Sequence, residues 1–380
     1  MTRPFGYFVH HQGRGHAERC AAIAHALPAH RALVIFCARP DIFPPLPPTA
    51  KVVPIPSLFE PRGDEAGTMD HVATPSTLHC APLGWPAIRR AMATLTRWFD
   101  EADPALMVCD VSAEVAQLSR ICSVPHVKVL QHGHRGDAGH RAAYDGAVGL
   151  LAPFHAELAQ PDWDDAIRAR TCFAGGLGVP TQAHCKAAAR RRIGVGPDEA
   201  MTLVLSGGGG EGFSAAPLGL GARGQPGARW ISIGHVSRDW HATEPANLEH
   251  RGWVDNAADY IAAADLVVSS AGNTTCQQVL SAGTPWLVIP EWRYFDEQHC
   301  KAAALRAAGV ASVRPHLPSS ADAWTHAIAE AMREHQPARQ RAMIEAEPAA
   351  KAARWLEALA EGLWHKGEPH AAGTTSERTD

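Results

Sequence analysis

Four stretches of the chain concentrate side chains that can move a proton, hold a phosphate or read hydroxyls. The first is His10-His11-Gln12-Gly13-Arg14-Gly15-His16, set between an apolar run and an Ala-rich stretch. Two glycines permit a tight turn, so His16 falls near a helix start at the top of a sheet. An imidazole there can take the proton of an acceptor hydroxyl. The plainer reading is a histidine that caps or packs against the helix, and G-x-G-H alone is a weak pattern. Asp110 ends the second stretch, the buried run from Ala105 to Cys109. It can orient His16 and stabilise its protonated form, or cap a helix beginning near Ser112 and Glu114.

The third stretch runs from Gln131 to His140 and carries His132, His134, Arg135, Asp137 and His140. Three histidines and an aspartate have the composition of a metal site, but Arg135 would repel a cation. With Gly13 and Gly15, the residues His132, His134, Arg135 and Asp137 read better as an acceptor-binding or phosphate-facing set, and no metal site is assigned. In the fourth stretch, Leu266-Val267-Val268 leads into Ser269-Ser270-Ala271-Gly272-Asn273-Thr274-Thr275 and then a helix. Free backbone N–H groups and the positive end of a helix dipole make such a loop a seat for diphosphate. Gly272 allows close backbone approach, while Asn273, Thr274 and Thr275 can cap or donate hydroxyls. Gln278, a turn further on, can bridge two ribose hydroxyls. The loop from Glu291 to Gln298 opens another helix with carboxylates and amides suited to sugar hydroxyls, although Asp296 and Glu297 would equally serve as acidic caps.

The elements that must position these groups follow from the apolar pattern. Strands are expected at 5–9, 32–37, 51–55, 105–109, 126–130, 147–151 and 171–174, then at 202–205, 229–234, 265–269, 286–289 and 310–313. Helical stretches between them imply parallel sheets covered on both faces, with ligands beyond the strands' C-terminal ends. Gly175 to Pro180 is the best break, giving one α/β domain at 1–178 and a second at 179–347, which the resemblance described below implies are the acceptor and the nucleotide-sugar domains. A helix within 348–365, apolar at 352, 356, 359 and 363, is expected to cross back over the junction, ahead of a disordered tail at 366–380. A predicted helix at 86–101 has an apolar stripe that reads as core, or as a membrane-surface face.

Length and composition narrow the class further. At 380 residues the chain exceeds one ordinary domain, and 46% apolar against 19% charged residues fits sizeable cores. A net charge of −4 without a basic block argues against a nucleic-acid partner. The nine cysteines form no C-x-x-C pair, which fits reduced core thiols in a cytoplasmic protein. No apolar stretch is long enough to span a bilayer.

From Ser270-Ala271-Gly272-Asn273-Thr274-Thr275-Cys276-Gln277-Gln278 through Gly283-Thr284-Pro285, Ile289-Pro290, Glu297-Gln298 and Gly309-Val310-Ala311, the second half resembles the donor-binding domain of GT-B glycosyltransferases. It is most similar to family 28, whose members include the N-acetylglucosaminyltransferase of peptidoglycan synthesis. The glycine loop before His16 resembles the N-terminal loop of the same enzymes. The resemblance implies two Rossmann-like domains facing a cleft, a nucleotide-sugar donor with UDP favoured, no cofactor, and inverting transfer to an unidentified acceptor. If that acceptor is a lipid, a peripheral membrane contact is implied too. It places the diphosphate on Gly272, Asn273 and Thr274, with Ser270 in the same loop, the ribose on Gln278, and the donor sugar on Glu297 and Gln298. Val254 falls at the base edge, and Gly207, Gly208 and Gly209 form the second phosphate-side loop. Gln278 stands where the family carries glutamate, and Lys301 where asparagine is common. A hydrolase or 2-epimerase, or a non-catalytic nucleotide-sugar binder, would share this fold.

Overall fold

The computed structural model describes residues 2–179, 185–208, 210–238 and 243–365; Gly209 and the tail expected at 366–380 lie outside the described residues. The first sheet contains β1 (Phe5–Phe8), β2 (Leu33–Cys37), β3 (Ala50–Pro54), β4 (Leu106–Cys109), β5 (His126–Val129), β6 (Gly149–Ala152) and β7 (Thr171–Phe173). These seven strands lie in the order β3-β2-β1-β4-β5-β6-β7, all parallel. Strands β1 and β4 are buried at every residue, the continuous apolar run that helices on both faces demand. At the edge, β3 is partly exposed and ends in Pro54, where a missing N–H costs no ladder bond.

The second half adds β8 (Ala200–Leu205), β9 (Phe213–Ser214), β10 (Ala228–Ile233), β11 (Val236–Ser237), β12 (Leu248–His250), β13 (Leu266–Ser269), β14 (Trp286–Val288) and β15 (Ser312–Val313). Six of them form a second parallel sheet in the order β12-β10-β8-β13-β14-β15, and β9 pairs with β11 separately. All twelve expected strands are present with ends moved by up to two residues; β9, β11 and β12, only two or three residues long, were not anticipated.

Both sheets reverse their strand order once, and this is what creates the site. In the first, the reversal falls between β1 and β4, paired Phe8 to Cys109, so the loop after β1 meets Asp110. In the second it falls between β8 and β13, paired Leu205 to Ser269, which brings Ser206–Gly208 beside Ser270–Gly272. Ligands of open parallel sheets bind at such switch points.

One apolar cluster runs through both halves, joining Leu130, Phe154 and Trp163 to Leu203, Val267 and Trp286. Helix Pro348–Trp364 packs back on the first domain. Its Glu357 takes a two-pronged ion pair from Arg31, Trp364 Nε1 donates to the Ala105 carbonyl at 2.9 Å, and the Arg3 guanidinium lies over the Trp364 ring. The Gly175–Gly178 stretch is hemmed in. Gly176 N donates to Gln277 Oε1 at 2.7 Å, and a Cβ at Gly178 would stand 2.9 Å from Arg19 Cα.

Candidate functional site

Helix Arg14–Ala26 begins at Gly13, whose φ of 82° is open to glycine and costly to other residues. No side chain caps this helix, so its first N–H groups remain available. His16, its third residue, has a ring about one-fifth exposed, with Nδ1 3.1 Å from Asp110 Oδ1. Asp110 is fully buried and takes a second partner that sequence reasoning missed, Arg19, through Nε at 3.2 Å and Nη2 at 2.8 Å. The spacing of Arg19 from His16, one helical turn, was the available signal. Burial alone would raise the Asp110 carboxyl, but Arg19 and His16 outweigh it and hold it well below the usual carboxylate range.

The capping role that competed for Asp110 belongs to Ser112, which accepts from Val115 N at 3.1 Å. Between them Val111 is held at φ 86°, an outlier for a β-branched residue, and this turn aims Asp110 inward. Nδ1 of His16 also lies 2.8 Å from Arg19 Nη2. It therefore either donates to Asp110 or accepts from Arg19, and only the first tautomer leaves Nε2 free to take a proton. His10 stacks on His11 and Phe59 beside this group, and burial, helped by His16 and His11, pushes it down to about 3.

Across the junction, helix Asn273–Ala282 starts from Gly272 without a side-chain cap. A Cβ at Gly207 or at Gly272 would meet nothing closer than Thr275 Oγ1 at 3.9 Å, so space lies open over both loops. Ser270 is buried and, among the described residues, its hydroxyl has no partner, a demand that a polar ligand would meet. Gly208 lies against the exposed Trp253 ring, next to the half-buried Val254. Gln278 is half-buried. Gln298 is buried, and its carbonyl oxygen accepts from Ala271 N and Glu291 N, both at 2.9 Å. It thereby ties the phosphate-type loop to the loop after β14.

The two halves touch at the site itself. Gly15 packs so tightly on Thr274 that a Cβ would collide with the Thr274 hydroxyl. Arg135 reaches from the first domain to Glu297 at 2.9 Å, and His134 N donates to the Phe295 carbonyl at 2.7 Å. The Phe295 ring stands edge-on to His79 and His140, and both Phe295 and Asp296 adopt positive φ. Glu297 thus pairs with Arg135, and Asp296 makes no side-chain cap on helix Glu297–Ala307.

Within the loop after β5, His132 needs correcting. It is fully buried, bonded through Nε2 to the Leu158 carbonyl and packed on Phe154 and Trp163, so it lies in the core instead of facing an acceptor. His134 is exposed at the cleft rim. Asp137 caps helix Ala138–Asp145 and pairs with His140 at 2.6 Å and His79 at 3.0 Å. Ligand atoms of His79, Asp137 and His140 fall within 4.8 Å of one another. However, Arg135 Nη1 already sits 3.0 Å from His140 Nε2, and burial with Arg135 and His79 nearby pushes His140 down to about 4. The cation that the sequence reading placed against a metal is therefore in contact with a would-be ligand.

Two doubly wound parallel domains whose switch points face each other are the GT-B fold, shared by solved structures to which this chain is similar. Residues 235–356 match the glycosyltransferase family 28 C-terminal domain. The chain is similar to the kitacinnamycin glycotransferase over 94% of its own length and 99% of that chain, at 17% identity and a TM-score of 0.66. It is similar to Phytolacca americana UGT2, solved with UDP-2fluoro-glucose and pterostilbene, over 95% and 94% of the two chains, at 11% identity and a TM-score of 0.61. MurG of Acinetobacter baumannii gives 14% identity and a TM-score of 0.55 over 95% and 99%. No curated protein sequence matches the chain. Among the described residues, no helix is long and apolar enough to cross a membrane.

Proposed function

We propose that this protein moves a sugar from a nucleotide-sugar donor, preferably a UDP-sugar, to an acceptor hydroxyl by direct displacement with inversion and without a metal. The observation that carries the reading is the packing of Gly15 on Thr274, which sets the His16–Asp110 pair one residue from the diphosphate-type loop. The donor would lie on the second domain. Backbone N–H groups after Gly207 and Gly272 would hold the diphosphate, Gln278 the ribose, Val254 the base edge, and Glu297 with the free amide end of Gln298 the sugar. His16 Nε2 would take the acceptor proton while Nδ1–H donates to Asp110, and the start of helix Asn273–Ala282 would offset charge on the departing diphosphate. Phytolacca americana UGT2 binding a UDP-sugar analogue on this fold supports the choice of nucleotide. Arg135 against His140 supports working without a metal. The acceptor would sit over the first domain near Gly13, His134 and Arg135, and the work would be done in the cytoplasm.

Thermal-shift titration with UDP-, GDP- and dTDP-sugars in the presence of a chelator tests the donor assignment. UDP-sugars should raise Tm, and loss of the shift on adding chelator would contradict the metal-free mechanism. Donor incubated alone should release nucleotide only slowly; rapid release would favour a hydrolase or epimerase on the same residues.

A further inference from the structure

Lys301 lies on helix Glu297–Ala307, only 4% exposed. Its ammonium donates to Asn273 Oδ1 at 3.0 Å and, among the described residues, forms no ion pair. The charged groups around it are Arg19, Arg135 and Glu297. Glu297 is committed to Arg135 at 2.9 Å, and Arg19 to Asp110 at 2.8 Å. The junction therefore holds three cations against two carboxylates that are already paired. A buried ammonium without a counter-ion is costly to the fold. Burial lowers the Lys301 pKa, and Arg19 and Arg135 push the same way, against Cys276 and Glu297. A protein that keeps such a group beside an uncapped helix start and an unpartnered buried Ser270 hydroxyl has a place for an anion.

We infer that Lys301 is the fixed counter-charge of the donor's diphosphate: it turns the Asn273 carboxamide so that its NH₂ end faces the phosphate, and supplies the positive charge that the leaving group needs. The inference rests on the donor reading given under Proposed function. Because Asn273 Oδ1 is taken by Lys301, Nδ2 is the end left for a ligand. As the sugar departs, its bond to the diphosphate oxygen breaks and the electron pair stays on that oxygen. The buried ammonium then faces an extra negative charge in a site where solvent screens it little.

The test is calorimetry of the full chain with uridine, UDP and inorganic pyrophosphate, for wild type, Lys301→Met and Lys301→Gln. UDP affinity should fall roughly tenfold to a hundredfold in Lys301→Met, the scale of a lost charge-assisted contact, while uridine affinity stays unchanged. Lys301→Gln, which keeps a donor for Asn273, should lose UDP affinity too, separating charge from hydrogen bonding. Without ligand, Lys301→Met should melt no lower than wild type, because it removes an unpaired buried charge; a purely structural lysine would do the reverse and overturn the inference. Equal UDP affinity in all three proteins would also overturn it. If the wild type binds no nucleotide, the donor reading fails, and the pyrophosphate arm alone decides for Lys301: binding lost in Lys301→Met upholds an anion seat, and an equal response refutes it.

Discussion

The two switch points have the same topology and opposite electrostatic states. In the first domain the charged groups at the switch point are paired: Asp110 is held by both Arg19 and His16, Ser112 accepts from Val115 N, and Glu114 accepts from His79 N. In the second domain the same geometry is left open. Among the described residues, a Cβ at Gly207 or Gly272 would meet only Thr275 Oγ1 at 3.9 Å, the Ser270 hydroxyl has no partner, and Lys301 has no counter-ion. A closed network holds the His16 ring in one position, and the tautomer in which Nδ1 donates to Asp110 suits proton transfer. An unsaturated one is completed by a ligand carrying the missing charge. On the proposed reading, the contrast separates a half that does chemistry from a half that binds.

That contrast can be broken most severely at Gly272. Because a Cβ there meets only Thr275 Oγ1 at 3.9 Å, Gly272→Asp should fold normally and yet abolish UDP binding by placing a carboxylate against the diphosphate. Calorimetry reads the effect, and unchanged affinity would place the phosphate elsewhere. The opposite outcome is expected from Asp110→Asn, which leaves donor affinity alone. It should slow turnover and strand Arg19 in the core, costing about 3–5 kcal/mol of stability for a broken buried pair. The sign with pH follows from the depressed Asp110 pKa. Its contribution is complete above the ordinary Asp value near 4 and is lost as pH falls from there toward the lower folded value. Thermal melts from pH 6 to pH 3 should therefore fall more steeply for wild type than for Asp110→Asn, and parallel curves would refute the assignment.

What was legible in the sequence was whatever the chain's periodicity or a contiguous loop carries. Strands buried on both faces, such as Leu106–Cys109, announce themselves as apolar runs, and Gly272-Asn273-Thr274 follows its strand directly. Pairings made by packing across the junction were invisible: Arg135 with Glu297 spans 162 residues, and Lys301 with Asn273 joins two helices. The same blindness misplaced His132, because a histidine in a His- and Gly-rich run gives no sign that Phe154 and Trp163 will enclose it. Short edge strands such as Leu248–His250 carry too few residues for any period to show.

The central claim, that proton transfer and donor binding reside in different domains, is tested most directly by His16→Ala. Donor affinity by calorimetry and turnover with any hydroxyl acceptor that the native enzyme uses should be measured on the same preparation. The account predicts unchanged donor affinity and turnover lower by roughly 10²–10⁴-fold, the usual worth of a general base. Near-normal turnover, or donor affinity that falls in step with turnover, would contradict it.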